Sequence, residues 1–373
     1  MTEKFSAEKL IGSEFVSKVT AQDVLFQWQR YAEASREKNP IVLSLPRYKF
    51  TDGASIGILT QWEAEGIFDQ VRGRGVALIA SLKDANATLD AIGAARWLRA
   101  FGAEEIMLVA TRLYGLRQDD VFKKHGTKEL RVETLTALDS ISQIADASGL
   151  DGRRLINRLV IGEAHSHKAF QLASVKNLPT MGLTAYQFIA DKIGLPQRVR
   201  SNWRVLNPDA NRHSTSVLFA EYLGLKQVSF NKFRDRETRE TILDKPEEVI
   251  RQLREEGVDT GVVFDDEFQT GHTVRLITDA AGEVLKNFII LASHANFSQE
   301  TIRNLSSAKI TEMVVTDALQ PNVDITELPG GVKVQVLPLN ESLSVVAGQL
   351  WRGDWQVPLA EGWQLDPWLQ SAE

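Results

Sequence analysis

The sequence predicts an α/β protein of two tandem doubly wound, mainly parallel-sheet domains. Three observations predict it. Short runs of Val, Ile and Leu recur without strict apolar–polar alternation, which suits strands buried on both faces of a parallel sheet. Segments with helical spacing lie between most of these runs, and alternating strand and helix is the pattern of doubly wound architecture. At 373 residues the chain also exceeds the length at which one core usually stops growing, so two are expected.

Strands are expected at 41–45, 76–82, 106–113, 158–164, 204–208, 226–231, 261–267, 287–293 and 312–319. The spacing of Leu89, Ile92, Ala95 and Leu98 predicts a helix over 86–102, and that of Leu135, Leu138, Ile141, Ile144 and Ala145 one over 129–148. Gly102 and Gly149 serve as stop signals. The segment GLPQRVRSNW breaks the pattern with Gly, Pro and charge, which places a boundary between 180 and 203. The expected organisation is therefore an N-terminal amphipathic helical extension (1–38), an N-terminal α/β domain (39–190), a C-terminal α/β domain (191–335) and a Trp-rich extension (336–373). Trp351, Trp355, Trp363 and Trp368 of that extension are expected to pack on the body or on another subunit.

Composition excludes several function classes. The chain has 43 Lys and Arg against 49 Asp and Glu, for a net charge of −6, which argues against a general nucleic-acid binder. It has no cysteine, hence no disulfide framework, thiolate metal site or cysteine nucleophile. No run of 18 apolar residues offers a membrane span, and MTEKFSAEKL lacks the apolar core of a signal peptide, so a cytoplasmic location is expected.

In this architecture ligands bind beyond the carboxyl ends of strands, so the polar clusters there carry the functional signal. In VVFDDEFQTGHT (262–273) the paired Asp265 and Asp266 can accept hydrogen bonds from vicinal hydroxyls. The turn Thr270-Gly271-His272-Thr273, opening a helix, offers N–H groups to a phosphate. The same composition also suits an ordinary helix cap. After the strand at 106–113 come Tyr114 and Gly115 and then Arg117-Gln118-Asp119, whose guanidinium fork can clamp phosphate. Glu163 and His165 end another strand; with only His167 nearby and no cysteine, zinc is not expected. Asp209 follows Asn207-Pro208, and Lys232-Phe233-Arg234 opens a charged stretch that would otherwise read as a solvated loop.

Together with Phe50-Thr51-Asp52-Gly53, these segments in this order resemble the ribose-phosphate pyrophosphokinase (PRPP synthetase) family over about residues 40 to 320. The resemblance implies two phosphoribosyltransferase-type domains. It implies transfer of the β,γ-pyrophosphate of ATP to the anomeric hydroxyl of ribose 5-phosphate, giving PRPP and AMP. It further implies ATP held by Arg117, Gln118 and Asp119, and by Phe50 and Asp52 of a neighbouring subunit in a homo-oligomer. Mg²⁺ would lie near His165 and Asp209, with Lys232, Arg234 and His165 at the reacting phosphates. Asp265 and Asp266 would hold the ribose hydroxyls, and Gln269, Thr270, Gly271, His272 and Thr273 the 5-phosphate. Segments 293–298 and 314–317 echo strands that frame the second domain, and fold support is their expected role.

The departures from the family pattern cluster at the sugar side. Gln269 stands where the family has Asp, His272 where it has Gly, and Asn211-Arg212 where it has paired glycines. Phe233 and Ala54 replace a cation and an acid. A larger acceptor such as ADP-ribose, a non-catalytic regulatory paralogue, or a phosphoribosyltransferase that consumes the activated sugar therefore stay open.

Overall fold

The computed structural model describes residues 24–29, 41–44, 48–49, 55–56, 69, 71–115, 122–125, 129–132, 136–164, 170, 173, 175–207, 213–234, 241–268, 270–306, 309–318, 326–328, 331–351 and 363–365. In chain order its elements are β1 (Val24–Gln29), β2 (Ile41–Ser44), β3 (Tyr48–Lys49), β4 (Ser55–Ile56), β5 (Gly75–Leu82), α1 (Ala85–Ala100), β6 (Glu105–Leu113), β7 (Phe122–His125), β8 (Glu129–Val132), α2 (Thr136–Asp146), β9 (Arg158–Gly162) and β10 (Thr180–Thr184). Then follow α3 (Tyr186–Lys192), α4 (Leu195–Arg198), β11 (Trp203–Asn207), α5 (His213–Leu223), β12 (Lys226–Ser229), β13 (Lys232–Arg234), β14 (Thr241–Leu243), α6 (Pro246–Glu255), β15 (Thr260–Phe268) and α7 (His272–Ala281). The last are β16 (Asn287–Ala295), α8 (Gln299–Ser306), β17 (Glu312–Thr316), β18 (Glu327–Leu328), β19 (Val332–Leu337), α9 (Asn340–Trp351) and β20 (Gln364–Leu365).

The chain forms two compact units. One comprises Met1–Asp120, Thr134–Gly182 and Asn340–Gln356; the other comprises Val121–Glu133, Leu183–Leu339 and Val357–Glu373. Within the first, β5, β6 and β9 run parallel. Their buried residues Val76, Leu78, Ile106, Leu108, Leu159 and Ile161 make the core against the Ala91, Ala95 and Leu98 stripe of α1. That helix starts where the Asp84 carboxylate accepts from the Ala87 N–H at 2.8 Å, a side-chain cap. It ends where the Arg99 guanidinium donates to the carbonyls of Ala103 (2.7 Å) and Arg154 (3.2 Å) and to Asn157 Oδ1 (3.2 Å). Arg99 thus ties the helix end to the loop that leads into β9.

The N-terminal segment corrects an expectation. Val24–Gln29 is a strand, not part of a helix: β1 pairs antiparallel with β5 and with β2. Its Val, Leu, Phe and Trp side chains favour the pleated state, and pairing with β5 covers an edge that would otherwise be open. Consequently 41–44 is an antiparallel edge strand paired with β1 rather than a parallel one. The helix expected over 129–148 is also shorter. Residues 129–132 pair antiparallel with β7, and α2 begins only at Thr136, past the β-branched Val132 and Thr134.

In the second unit the sheet order is β12-β11-β15-β16-β17-β19-β18, parallel except for β18. Counted in chain order, the parallel strands read second, first, third, fourth, fifth, sixth. The order therefore reverses between β11 and β15, and such a switch point is where open α/β sheets bind ligands. Val263, Phe288, Ile290 and Met313 fill the core on one face with Leu253 of α6 and Ile277 of α7. Elsewhere on the sheet Tyr186 and Phe219 meet Phe264 with ring centroids 6.1 Å and 5.4 Å away.

Val336 and Leu337 close β19 against β17, and α9 packs on β1 and β5. Trp363 is buried, stacked on Phe188 at 5.4 Å and 27°, while Gln364 and Leu365 pair with Thr184 and Leu183. Among the described residues no helix is long and apolar enough to cross a membrane.

Candidate functional site

The carboxyl ends of the second unit's strands gather its polar groups. Asp265 is half-buried, whereas Asp266 and Glu267 are buried at 6% and 7% exposure. The Asp266 N–H donates to Asp265 Oδ1 at 2.9 Å, so the first acid of the pair is oriented by the backbone of the second. Glu267 accepts from Asn296 Nδ2 at 3.0 Å and stands in register with the buried His294, whose backbone forms an antiparallel bridge with Asp317. Three neighbouring strands thus end in carboxylates and an imidazole. On the other side of the switch point β11 ends in the buried Asn207, whose Nδ2 donates to Ser229 Oγ at 3.4 Å.

Beyond β15 the chain turns sharply. Gly271 has φ 68° and ψ 1°, a left-handed conformation, and caps α7. A Cβ there would stand 3.1 Å from the Leu305 side chain, so both the backbone angle and the space favour glycine. The His272 N–H donates to Thr270 Oγ1 at 3.4 Å, and the Arg275 N–H to the Gly271 carbonyl at 3.0 Å. Thr270, Gly271, His272 and Thr273 therefore lie in one turn at the positive end of a helix, a geometry that favours anions.

Lys232 opens a hairpin anchored at the same edge. The Phe230 N–H donates to the Asn207 carbonyl at 2.9 Å, and the Asp244 N–H to the Asn231 carbonyl at 2.7 Å. Lys232, Phe233 and Arg234 then pair antiparallel with Leu243, Ile242 and Thr241. The cations read from sequence as part of a loop thus start on a short two-stranded ribbon; Lys232 itself is half-buried.

In the first unit two adjacent strands end in left-handed turns. Gly115 (φ 83°) follows β6, and Glu163, a non-glycine residue at φ 50°, follows β9. That conformation costs a non-glycine residue about 1–2 kcal/mol, and such strain concentrates at functional sites. A Cβ at Gly162 would lie 2.8 Å from the Thr111 carbonyl, so β9 can approach β6 this closely only as glycine. Ser140 Oγ donates to the Tyr114 carbonyl at 3.2 Å and ties α2 to the residue just past β6. Phe50, Asp52, Arg117, Gln118, Asp119, His165, Asp209 and Gln269 lie outside the described residues, as does the side chain of Arg234.

Two groups at this edge escaped the sequence reading. Glu267 directly follows the acid pair but occupies an apolar-looking strand position, so only its burial beside Asn296 reveals it. Asn304 touches the turn from a helix 34 residues away, which no local pattern signals.

Burial pushes the Asp317 carboxyl above its usual range, with the N–H groups of Leu339 and of Asp317 itself pulling it partly back. A raised folded-state value means that this group supports folding while protonated and loses that support as pH rises through the folded value. Asp317→Asn, which keeps an oxygen for the Leu339 N–H, should therefore raise the melting temperature at pH 7. The gain should vanish below about pH 4. Thermal melts at the two pH values check both the gain and its disappearance.

Among the described residues no group of three or more His, Asp or Glu side chains could hold a metal on protein ligands alone. A phosphate-bridged Mg²⁺ needs only one or two carboxylates besides phosphate and water.

No protein-family model and no curated protein matches the sequence. Among solved structures the chain is similar to the crystal structure of phosphoribosylpyrophosphate synthetase from Mycobacterium smegmatis, with a TM-score of 0.62 and 18% identity over 86% of this chain and 95% of that one. At that identity the likeness shows the fold: mixed α/β with parallel sheets, consistent with two phosphoribosyltransferase-type domains.

Proposed function

We propose that the chain is an ATP-dependent pyrophosphokinase of the PRPP-synthetase kind, with ribose 5-phosphate as its acceptor. One observation carries this reading: the acid pair Asp265-Asp266 lies near the carboxyl end of β15, beside the strand-order reversal and shortly before the Gly271 turn into α7. The fold likeness to a phosphoribosylpyrophosphate synthetase supports it.

In this reading Asp265 and Asp266 accept hydrogen bonds from the vicinal ribose hydroxyls, and Gln269 through Thr273 receive the 5-phosphate on backbone N–H groups. The anomeric oxygen attacks the β-phosphorus of ATP. A bond forms between them, the bond from that phosphorus to the oxygen shared with the α-phosphate breaks, and AMP leaves with that oxygen. The hydroxyl proton passes to solvent. Lys232 and Arg234 neutralise charge on the transferred group, because transfer of this type rests on positioning and electrostatics rather than covalent catalysis. Arg117, Gln118 and Asp119 hold ATP, joined by Phe50 and Asp52 of a second copy in a homo-oligomer. His165 and Asp209 are the residues that would hold Mg²⁺, which supplies charge neutralisation at the phosphates.

A second reading, a larger acceptor such as ADP-ribose, is favoured by Gln269 and His272, which replace an acid and a glycine of the family pattern at the sugar side. Offering both sugars together with ATP and Mg²⁺, and identifying the product by mass spectrometry, separates the two. Consumption of ribose 5-phosphate supports the first, consumption of ADP-ribose alone supports the second, and intact ATP with either sugar overturns both.

A further inference from the structure

The turn at Gly271 is held from outside its own strand and helix. Asn304 of α8, 9% exposed, donates from Nδ2 to the Thr270 carbonyl at 2.8 Å and accepts at Oδ1 from Arg275 Nη1 at 3.2 Å. Arg275 belongs to the first turns of α7 and donates from Nε to Asp279 at 3.4 Å. One amide is therefore fastened to both sides of the turn. A carbonyl only accepts and a guanidinium only donates, so the two partners fix which end of the amide faces which.

That tie has a geometric consequence. In a planar trans peptide the C=O and the N–H point in opposite directions. Drawing the Thr270 carbonyl towards Asn304 hence aims the Gly271 N–H away from α8. Leu305 and Thr301 of α8 close the side beneath, within 3.1 Å and 3.5 Å of where a Gly271 Cβ would stand. Apolar packing alone would fill this space, but it would not choose the rotation of the peptide plane. The hydrogen bond does.

We propose that Asn304 is a positioning residue for the turn 270–273: by holding the Thr270 carbonyl and Arg275 it sets the peptide plane whose N–H meets the acceptor's phosphate. The inference rests on the proposed reading of this turn as the phosphate site.

Calorimetric titration of the full chain with ribose 5-phosphate, together with steady-state kinetics, tests it. Asn304→Leu removes both bonds at similar volume. Asn304→Asp keeps an acceptor for Arg275 and sets a carboxylate against the Thr270 carbonyl. Both should bind ribose 5-phosphate about tenfold more weakly and raise its KM alike, while the KM for ATP and kcat at saturating acceptor stay within about twofold. A merely structural role would instead lower the melting temperature and leave the acceptor affinity unchanged, or raise both KM values together, and either result overturns the proposal. Hydrogen exchange on the unaltered protein reads the same point should the Leu variant fail to fold. Ribose 5-phosphate should slow exchange of the Gly271 amide, and unchanged exchange in the liganded protein overturns the role of Asn304. A wild-type chain that binds no ribose 5-phosphate would sink the reading of the turn itself, and the inference with it.

Discussion

Lys232→Ala is expected to lower AMP release from ATP and ribose 5-phosphate by about 10²–10³-fold while leaving the melting temperature nearly unchanged. The size follows from the work assigned to it. Charge spread over transferred phosphate oxygens is stabilised by preorganised cations, and removing one such donor from an active site costs that much in turnover. The small stability effect follows from position: Lys232 is half-buried at the first residue of a two-stranded ribbon, outside the core of the second sheet. Lys232→Arg, which keeps the charge but spreads it over a planar guanidinium, should recover part of the rate. Steady-state AMP release and thermal melts measure the two quantities. Joint loss of rate and stability would assign Lys232 to the fold instead.

Gly271→Val is expected to destabilise the second unit by about 2–5 kcal/mol and to remove acceptor binding. Two costs combine. A β-branched residue at φ 68° pays about 1–2 kcal/mol or more for the left-handed backbone, and the new side chain, its Cβ already 3.1 Å from Leu305, forces overpacking worth about 1–3 kcal/mol. Set against the usual stability of about 5–15 kcal/mol, that is a large share. Denaturant unfolding should show the shift in midpoint, with Gly271→Ala falling between the two. An unchanged midpoint would mean that the turn does not need glycine.

The parallel cores were legible because burial on both faces writes itself as unbroken apolar runs; β5, β6, β15 and β16 are of this kind. Edge elements were not. The sequence of β1 suits a helix as well as a strand because a short amphipathic stretch fits either period, and only its pairing with β5 decides between them. The hairpin of β13 and β14 was hidden because three-residue strands carry too little pattern to stand out from a charged loop. At the candidate site, Asp265, Asp266 and Gly271 lie in one continuous segment, so strand, acid pair and turn are visible together in the sequence. Asn304 could not, because its contact with Thr270 exists only once α7 and α8 pack. Glu163 lay between: the sequence marked it as the end of a strand, and the structure adds the left-handed backbone that turns the chain there.

Phosphorus NMR of the full chain with ATP, Mg²⁺ and ribose 5-phosphate reads which bond of ATP is broken. Pyrophosphoryl transfer is expected to give AMP, together with a new pyrophosphoryl group on the sugar and no ADP, with the reaction dependent on the sugar. Formation of ADP and a singly phosphorylated product, or ATP left intact, would contradict it.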